Sequence, residues 1–241
     1  MTSNPMVRNP IVDETILDSK PMTIQGSVNK TLLLTGIVII CACLSWIMCG
    51  YGYSDRASLL MIVCSIAGLI LAMIAFFKPK TSPLTAPAYA VCEGLLVGTV
   101  SFMYNSLYQG IVVNAISITL VTLLSMLFLY KTRIIQATEK FRKIIFTATM
   151  AIAIFYFVGF IGALIGHPMT VFNGGLYGIV ISVVICAIAA FNFILDFDFI
   201  EKGEGRLPDY FEWYSGLSLL VTVIWLYFEV LRLLAQLNRK N

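Results

Sequence analysis

The carboxylates of this chain lie where a charge is costly. Asp196, Asp198 and Glu201 close one long apolar stretch, and Glu212 opens the next. Glu229 and Arg232 sit inside the far end of that second stretch. Glu93 stands alone in the middle of a third, within YAVCEGLLVG. An ionisable group at bilayer depth costs roughly 2.5–3.5 kcal/mol on insertion scales and faces a protein interior or a water-filled cavity. The chemistry open to such groups is the binding of protons or cations. For Glu93 two readings stand side by side: a proton or cation ligand, or an acid hydrogen-bonded to a neighbouring helix.

Spacing sorts the remaining carboxylates. On a helix Asp196 shares a face with Asn192, four residues back, and Ser182 lies further along that face. Asp198 points nearly the opposite way, toward the face of Glu201. Asp196, with Asn192 placed to donate a hydrogen bond, is the candidate for a buried site. Asp198 and Glu201 are expected at a solvated helix end. In the last apolar stretch Ser215, Ser218, Thr222, Trp225, Glu229 and Arg232 recur at spacings of three and four. That period draws one narrow polar stripe on a helix otherwise built of Leu, Val, Ile, Tyr and Phe. Lipid solvates such a stripe poorly, so it should face other helices. Glu229 and Arg232, at i and i+3, suit an ion pair, either inside the bundle or near the headgroups.

No catalytic set accompanies these groups. The chain has no H-E-x-x-H, G-x-S-x-G or P-loop pattern. Intramembrane aspartyl proteolysis needs a second deep aspartate, which is missing. An enzyme is not expected, nor is a cofactor. The six cysteines (Cys41, Cys43, Cys49, Cys64, Cys92, Cys186) lie in or beside apolar stretches without a C-x-x-C pair, and His167 is the one histidine. They read as small apolar side chains rather than metal ligands.

The elements that must position these residues are membrane helices. Of 241 residues 59% are apolar and 12% charged, against about 25% charged in soluble domains. Seven apolar segments, at 31–50, 57–77, 83–104, 110–130, 143–165, 173–200 and 213–237, each approach the roughly 20 residues that span hydrocarbon. The fold class is therefore an all-α membrane protein, a seven-helix transmembrane bundle whose polar-striped last helix is central. Residues 1–30 are polar and lack the apolar core of a secretory signal; they read as a disordered tail, and 238–241 as a short one. The spacings Gly94-x-x-x-Gly98, Gly162-x-x-x-Gly166 and Gly174-x-x-x-Gly178 permit close helix crossings. With seven spans, 12 Lys and Arg fall on the side of the N-terminus and 4 on the other. The positive-inside rule then puts the N-terminus and the 131–143 and 201–212 junctions in the cytoplasm. The net charge of +3 includes no basic cluster, so nucleic acid is not an expected partner.

The motifs also carry a family likeness. E-G-L at Glu93, K-F-R at 140–142, L-D-F-D-F-I-E at 195–201 and W-L-Y-F-E-V-L-R-L-L at 225–234 follow one another in seven short-looped spans. Over residues 22–237 this resembles the Bax inhibitor-1 family, in its bacterial branch. The resemblance implies a bundle with the last helix in the centre, in a bacterial inner membrane. It further implies a pH-sensitive calcium leak gated by two aspartates and assisted by a basic residue at the end of the second helix. Asp196 matches the sixth-helix aspartate and Lys78 falls where the basic residue is expected. Thr222 stands where the seventh-helix aspartate should be. The gating and cation-binding set is thus Asp196, Asn192, Thr222, Glu93 and Lys78, with Asp198, Glu201, Glu212, Glu229 and Arg232 as secondary polar groups. Calcium takes six to eight oxygen ligands, so Asp196, Asn192, Thr222 and a few carbonyls would form a weak, transient site. Protonated carboxyls would share hydrogen bonds and hold helices together; ionised, they would repel one another and attract cations. The alternative is a non-conducting regulator that binds a membrane protease or a stress-response partner. A continuous polar path from Glu93 and Thr222 to Asp196 would favour conduction.

Overall fold

The structure is a computed structural model and describes residues 20–51, 54–166 and 175–239. Its seven long helices are α1 (Ile24–Gly50), α2 (Ser54–Phe77), α3 (Ser82–Leu107), α4 (Ile111–Lys131), α5 (Glu139–Leu164), α6 (Gly175–Gly203) and α7 (Tyr210–Asn238). All seven are long and apolar enough to cross a membrane. A single 3-10 turn, Pro79–Thr81, separates α2 from α3. The breaks follow from backbone chemistry. Pro79 opens the 3-10 turn, where its missing N–H is no loss. Gly110 takes φ +79 just before α4 and Gly166 takes φ +84 just after α5, a region open to glycine.

The bundle is organised around α7. It packs on α1, α3, α4 and α6, while α2 leans on α3 and α5 leans on α6. Half of the most apolar stretch of α7 is buried, against 11 to 39% in the other six. Two apolar cores flank it. One joins Leu34, Ala75, Ala86, Tyr89 and Leu220 from α1, α2, α3 and α7. The other joins Ile111, Ala189, Phe193, Ile194 and Leu231 from α4, α6 and α7. The polar stripe of α7 faces the seam on the side where α2 and α5 stand. Of the small-residue spacings, Gly94 and Gly98 do make a close crossing: a Cβ on Gly94 would lie 2.7 Å from Cys41 Cβ and from the Val38 carbonyl. Gly166 instead ends a helix with open space around it. Gly174 and His167 lie outside the described residues, as do 1–19, 240 and 241.

The N-terminal boundary differs from the expectation. Residues 24–30 are helical, and 20–23 dock on the junction between α6 and α7. Met22 N–H donates to the Leu207 carbonyl at 2.8 Å, Gly205 N–H to the Met22 carbonyl at 2.9 Å, and Asp209 N–H to the Lys20 carbonyl at 2.9 Å. Pro21 and Pro208 form an isolated antiparallel bridge, and Met22 is fully buried. Thr23 caps α1, its Oγ accepting from the Gly26 N–H at 2.9 Å. Polar composition concealed this because Gln25 and Asn29 are exposed on a helix turn that continues past the apolar stretch. An apolar residue before a Thr cap was the available signal.

Candidate functional site

Asp196 lies near the end of α6 and is 9% exposed. Both of its carboxylate oxygens accept hydrogen bonds from α7: Ser218 Oγ donates to Oδ1 at 2.6 Å and Thr222 Oγ1 to Oδ2 at 2.6 Å. Ser218 and Thr222 are one turn apart, so a single face of α7 delivers both hydroxyls. Asn192 does not serve Asp196. Its Nδ2 donates to Thr149 Oγ1 on α5 at 2.9 Å and to the Ile188 carbonyl at 2.9 Å. With Ser and Thr donors already on the carboxylate, the amide turns to α5.

These groups form the floor of a cleft of about 370 Å³. Asp196, Asn192, Ser218, Thr222, Thr149 and Trp225 supply its polar surface. Leu69, Ala72, Met73 and Phe76 of α2 supply one apolar wall. Leu69, Met73 and Phe76 are themselves exposed on the outside of the bundle. The cleft therefore opens sideways, between α2 and α5, on the membrane-facing surface.

The other carboxylates belong to separate arrangements. Asp198 is 7% exposed rather than solvated. Arg142 at the start of α5 and Lys202 one turn on both pair with it, the lysine at 2.9 Å. Two cations compensate a carboxylate that helix packing has removed from water. Glu201 is exposed and receives Tyr130 and Arg133 from the end of α4. The neighbouring Glu201 carboxylate raises the pKa of the Arg133 guanidinium further. Glu212 Oε1 accepts from both the N–H of Thr23, at 3.0 Å, and its hydroxyl, at 2.8 Å. It holds the beginning of α1 to the beginning of α7, and its negative charge suits a helix N-terminus.

Farther along α7, Glu229 is 4% exposed and forms the expected i, i+3 pair with Arg232. Tyr156 of α5 donates to Glu229 Oε1 at 2.6 Å and Trp225 Nε1 donates to the same oxygen at 3.2 Å. Arg232 also reaches the Tyr156 hydroxyl. This pair lies inside the bundle. Trp225 touches both places: it lines the Asp196 cleft and bonds to Glu229.

Two candidates stay apart from the site. Glu93 faces α2, where a Cβ on Gly68 would lie 2.9 Å from its Oε1. It does not line the cleft that holds Asp196. Lys78 is exposed at the α2–α3 break and makes no ion pair among the described residues. Thr149, Arg142 and Tyr156 were not anticipated; each lies on α5, far in sequence from its partner, and no local spacing points to it. Among the described residues no three His, Cys, Asp or Glu converge as metal ligands would.

The family model described as Bax inhibitor 1 like matches residues 4–239, nearly the whole chain. The chain belongs to the Bax inhibitor 1 like family. Comparison with curated proteins and with solved structures gives no match. Membership agrees with an integral membrane protein of seven spans. Within this Bax inhibitor 1 like bundle, the polar part of the α6–α7 contact at Asp196 is one aspartate and two hydroxyls, with Thr222 standing opposite Asp196.

Proposed function

We propose that this protein is a pH-responsive cation leak of a bacterial inner membrane, its N-terminus cytoplasmic, in which Asp196 latches α6 to α7. The observation that carries this reading is the double hydroxyl grip on a buried carboxylate. The sign of the response differs from that of a carboxylate pair. Ionised, Asp196 accepts two charge-assisted bonds, which are roughly twice as strong as neutral ones. Protonation converts them to neutral bonds and weakens the latch by about 1–3 kcal/mol. No second carboxylate faces Asp196 from Ser218 or Thr222, so ionisation has no partner to repel. Acid should loosen α6 from α7 and raise the leak.

Calcium is one cargo consistent with this reading, since a carboxylate and two hydroxyls give oxygen ligands for passage but too few for storage. The test is calcium flux into proteoliposomes of the purified protein at two pH values. Flux should rise at the more acidic pH in the parent, and Asp196→Asn, which keeps shape but removes the titrating proton, should make flux independent of pH. A parent with no flux at either pH ends the leak reading. The separation of Glu93 from Asp196 favours a second reading, a non-conducting regulator of a membrane protease or stress-response partner. Neither reading assigns an enzymatic activity.

A further inference from the structure

Four carboxylates on α6 and α7 can be compared by what neutralises them. Asp198 has Arg142 and Lys202, Glu201 has Arg133, and Glu229 has Arg232. Asp196 has two hydroxyls and no basic residue among those lining its cleft. It also lines a cleft open to the membrane-facing surface. An ionised carboxylate offers about four lone-pair positions, and two are occupied by Ser218 and Thr222. The rest are available to a donor entering from the cleft.

The walls say how such a donor arrives. Leu69, Met73 and Phe76 form the entrance and are 66, 48 and 64% exposed. A hydrated metal ion does not approach through hydrocarbon, whereas an alkyl chain does. Deeper in, Tyr214 and Trp225 present aromatic side chains beside Asp196, and aromatic faces attract an ammonium group. The volume, about 370 Å³, falls within the range of small-molecule sites.

We infer that the α2–α5 cleft is a binding site for a lipophilic ammonium, a single-chain protonated amine whose tail lies along Leu69, Ala72, Met73 and Phe76 and whose head pairs with Asp196. The site rests on the same carboxylate as the proposed leak but does not require conduction. An occupant would share Asp196 with Ser218 and Thr222 and so sit directly against the α6–α7 contact.

The test is equilibrium titration of the protein in nanodiscs of zwitterionic lipid, followed by tryptophan fluorescence. Decylamine, decanol and decyl sulfate are compared, with Trp225→Phe identifying the reporting residue. Decylamine should saturate, and decanol should bind at least about tenfold more weakly, the loss expected when a charge-assisted bond is missing. Asp196→Asn should weaken decylamine by a similar factor. Ala72→Leu, which narrows the wall and leaves Asp196 intact, should weaken it too. Equal saturation by decanol, or undiminished decylamine binding in either folded variant, overturns the proposal. Should Asp196→Asn fail to fold, Ala72→Leu decides alone. Because the titration involves no ion gradient, binding without flux defeats only the leak, and flux without binding defeats only this site.

Discussion

At the scale of the residue, the decisive fact is that Asp196 answers to hydroxyls. A threonine occupies the place where a second carboxylate would make a coupled pair. Thr222→Asp restores that pair, and two facing carboxylates titrate together rather than singly. Ionised, they repel, so this variant should leak more as pH rises, opposite to the acid-stimulated leak proposed for the parent. The measurement is proteoliposome flux across a pH series; a slope of unchanged sign would show that Asp196 does not control the contact. Glu229 shows the other solution to a buried carboxylate. It is enclosed by Arg232, Tyr156 and Trp225, and a group so fully answered is suited to holding helices in place.

At the scale of the element, the chain disclosed more about α7 than about any other helix. Its stripe was legible because polar residues at helical spacing stand out against an apolar background, and five of the six make bonds across or along that face as the spacing implies. The interior position of Asp196 followed from the same periodicity. What could not be read were partners on other helices, since Thr149 and Tyr156 carry no local signature and their roles exist only once α5 leans on α6. Two side chains were miscast: Asp198, which helix packing buries between Arg142 and Lys202, and Asn192, whose amide tertiary contacts turned to Thr149. The α1–α3 crossing yields a prediction of its own. A side chain on Gly98 would overlap the Ala42 carbonyl and Ser45 Oγ, and backbone cannot give way cheaply. Gly98→Val should destabilise the bundle by about 1–3 kcal/mol or more, visible as a lower unfolding temperature in detergent. A surface change such as Leu124→Val should leave that temperature nearly unchanged.

At the scale of the whole molecule, charge is collected at one end. Arg133, Arg142, Lys202, Asp198, Glu201 and Glu212 all lie where α4 and α6 finish and α5 and α7 begin. Positive charge near short loops is retained on the cytoplasmic side. A cysteine introduced at Gln136, in the α4–α5 connection, should therefore resist a membrane-impermeant thiol reagent in intact cells and react in inverted vesicles. Labelling from outside would reverse the orientation of the bundle. The residues of the Asp196 latch and cleft lie toward this same end, so the compartment that sets its proton supply would be the cytoplasm.

The docking of Lys20–Thr23 onto residues 205–212 also bears on how the chain is made. Met22 emerges from the ribosome nearly two hundred residues before the surface that buries it. Until the α6–α7 junction has been synthesised, the cap of α1 has neither Leu207 nor Glu212 to meet, and the place of α7 among α1, α3, α4 and α6 is vacant. The last span to be made is the one on which the most helices rest, and residues 20–23 can dock only once the junction before it exists. The seating of Met22 thus records that translation has reached α7.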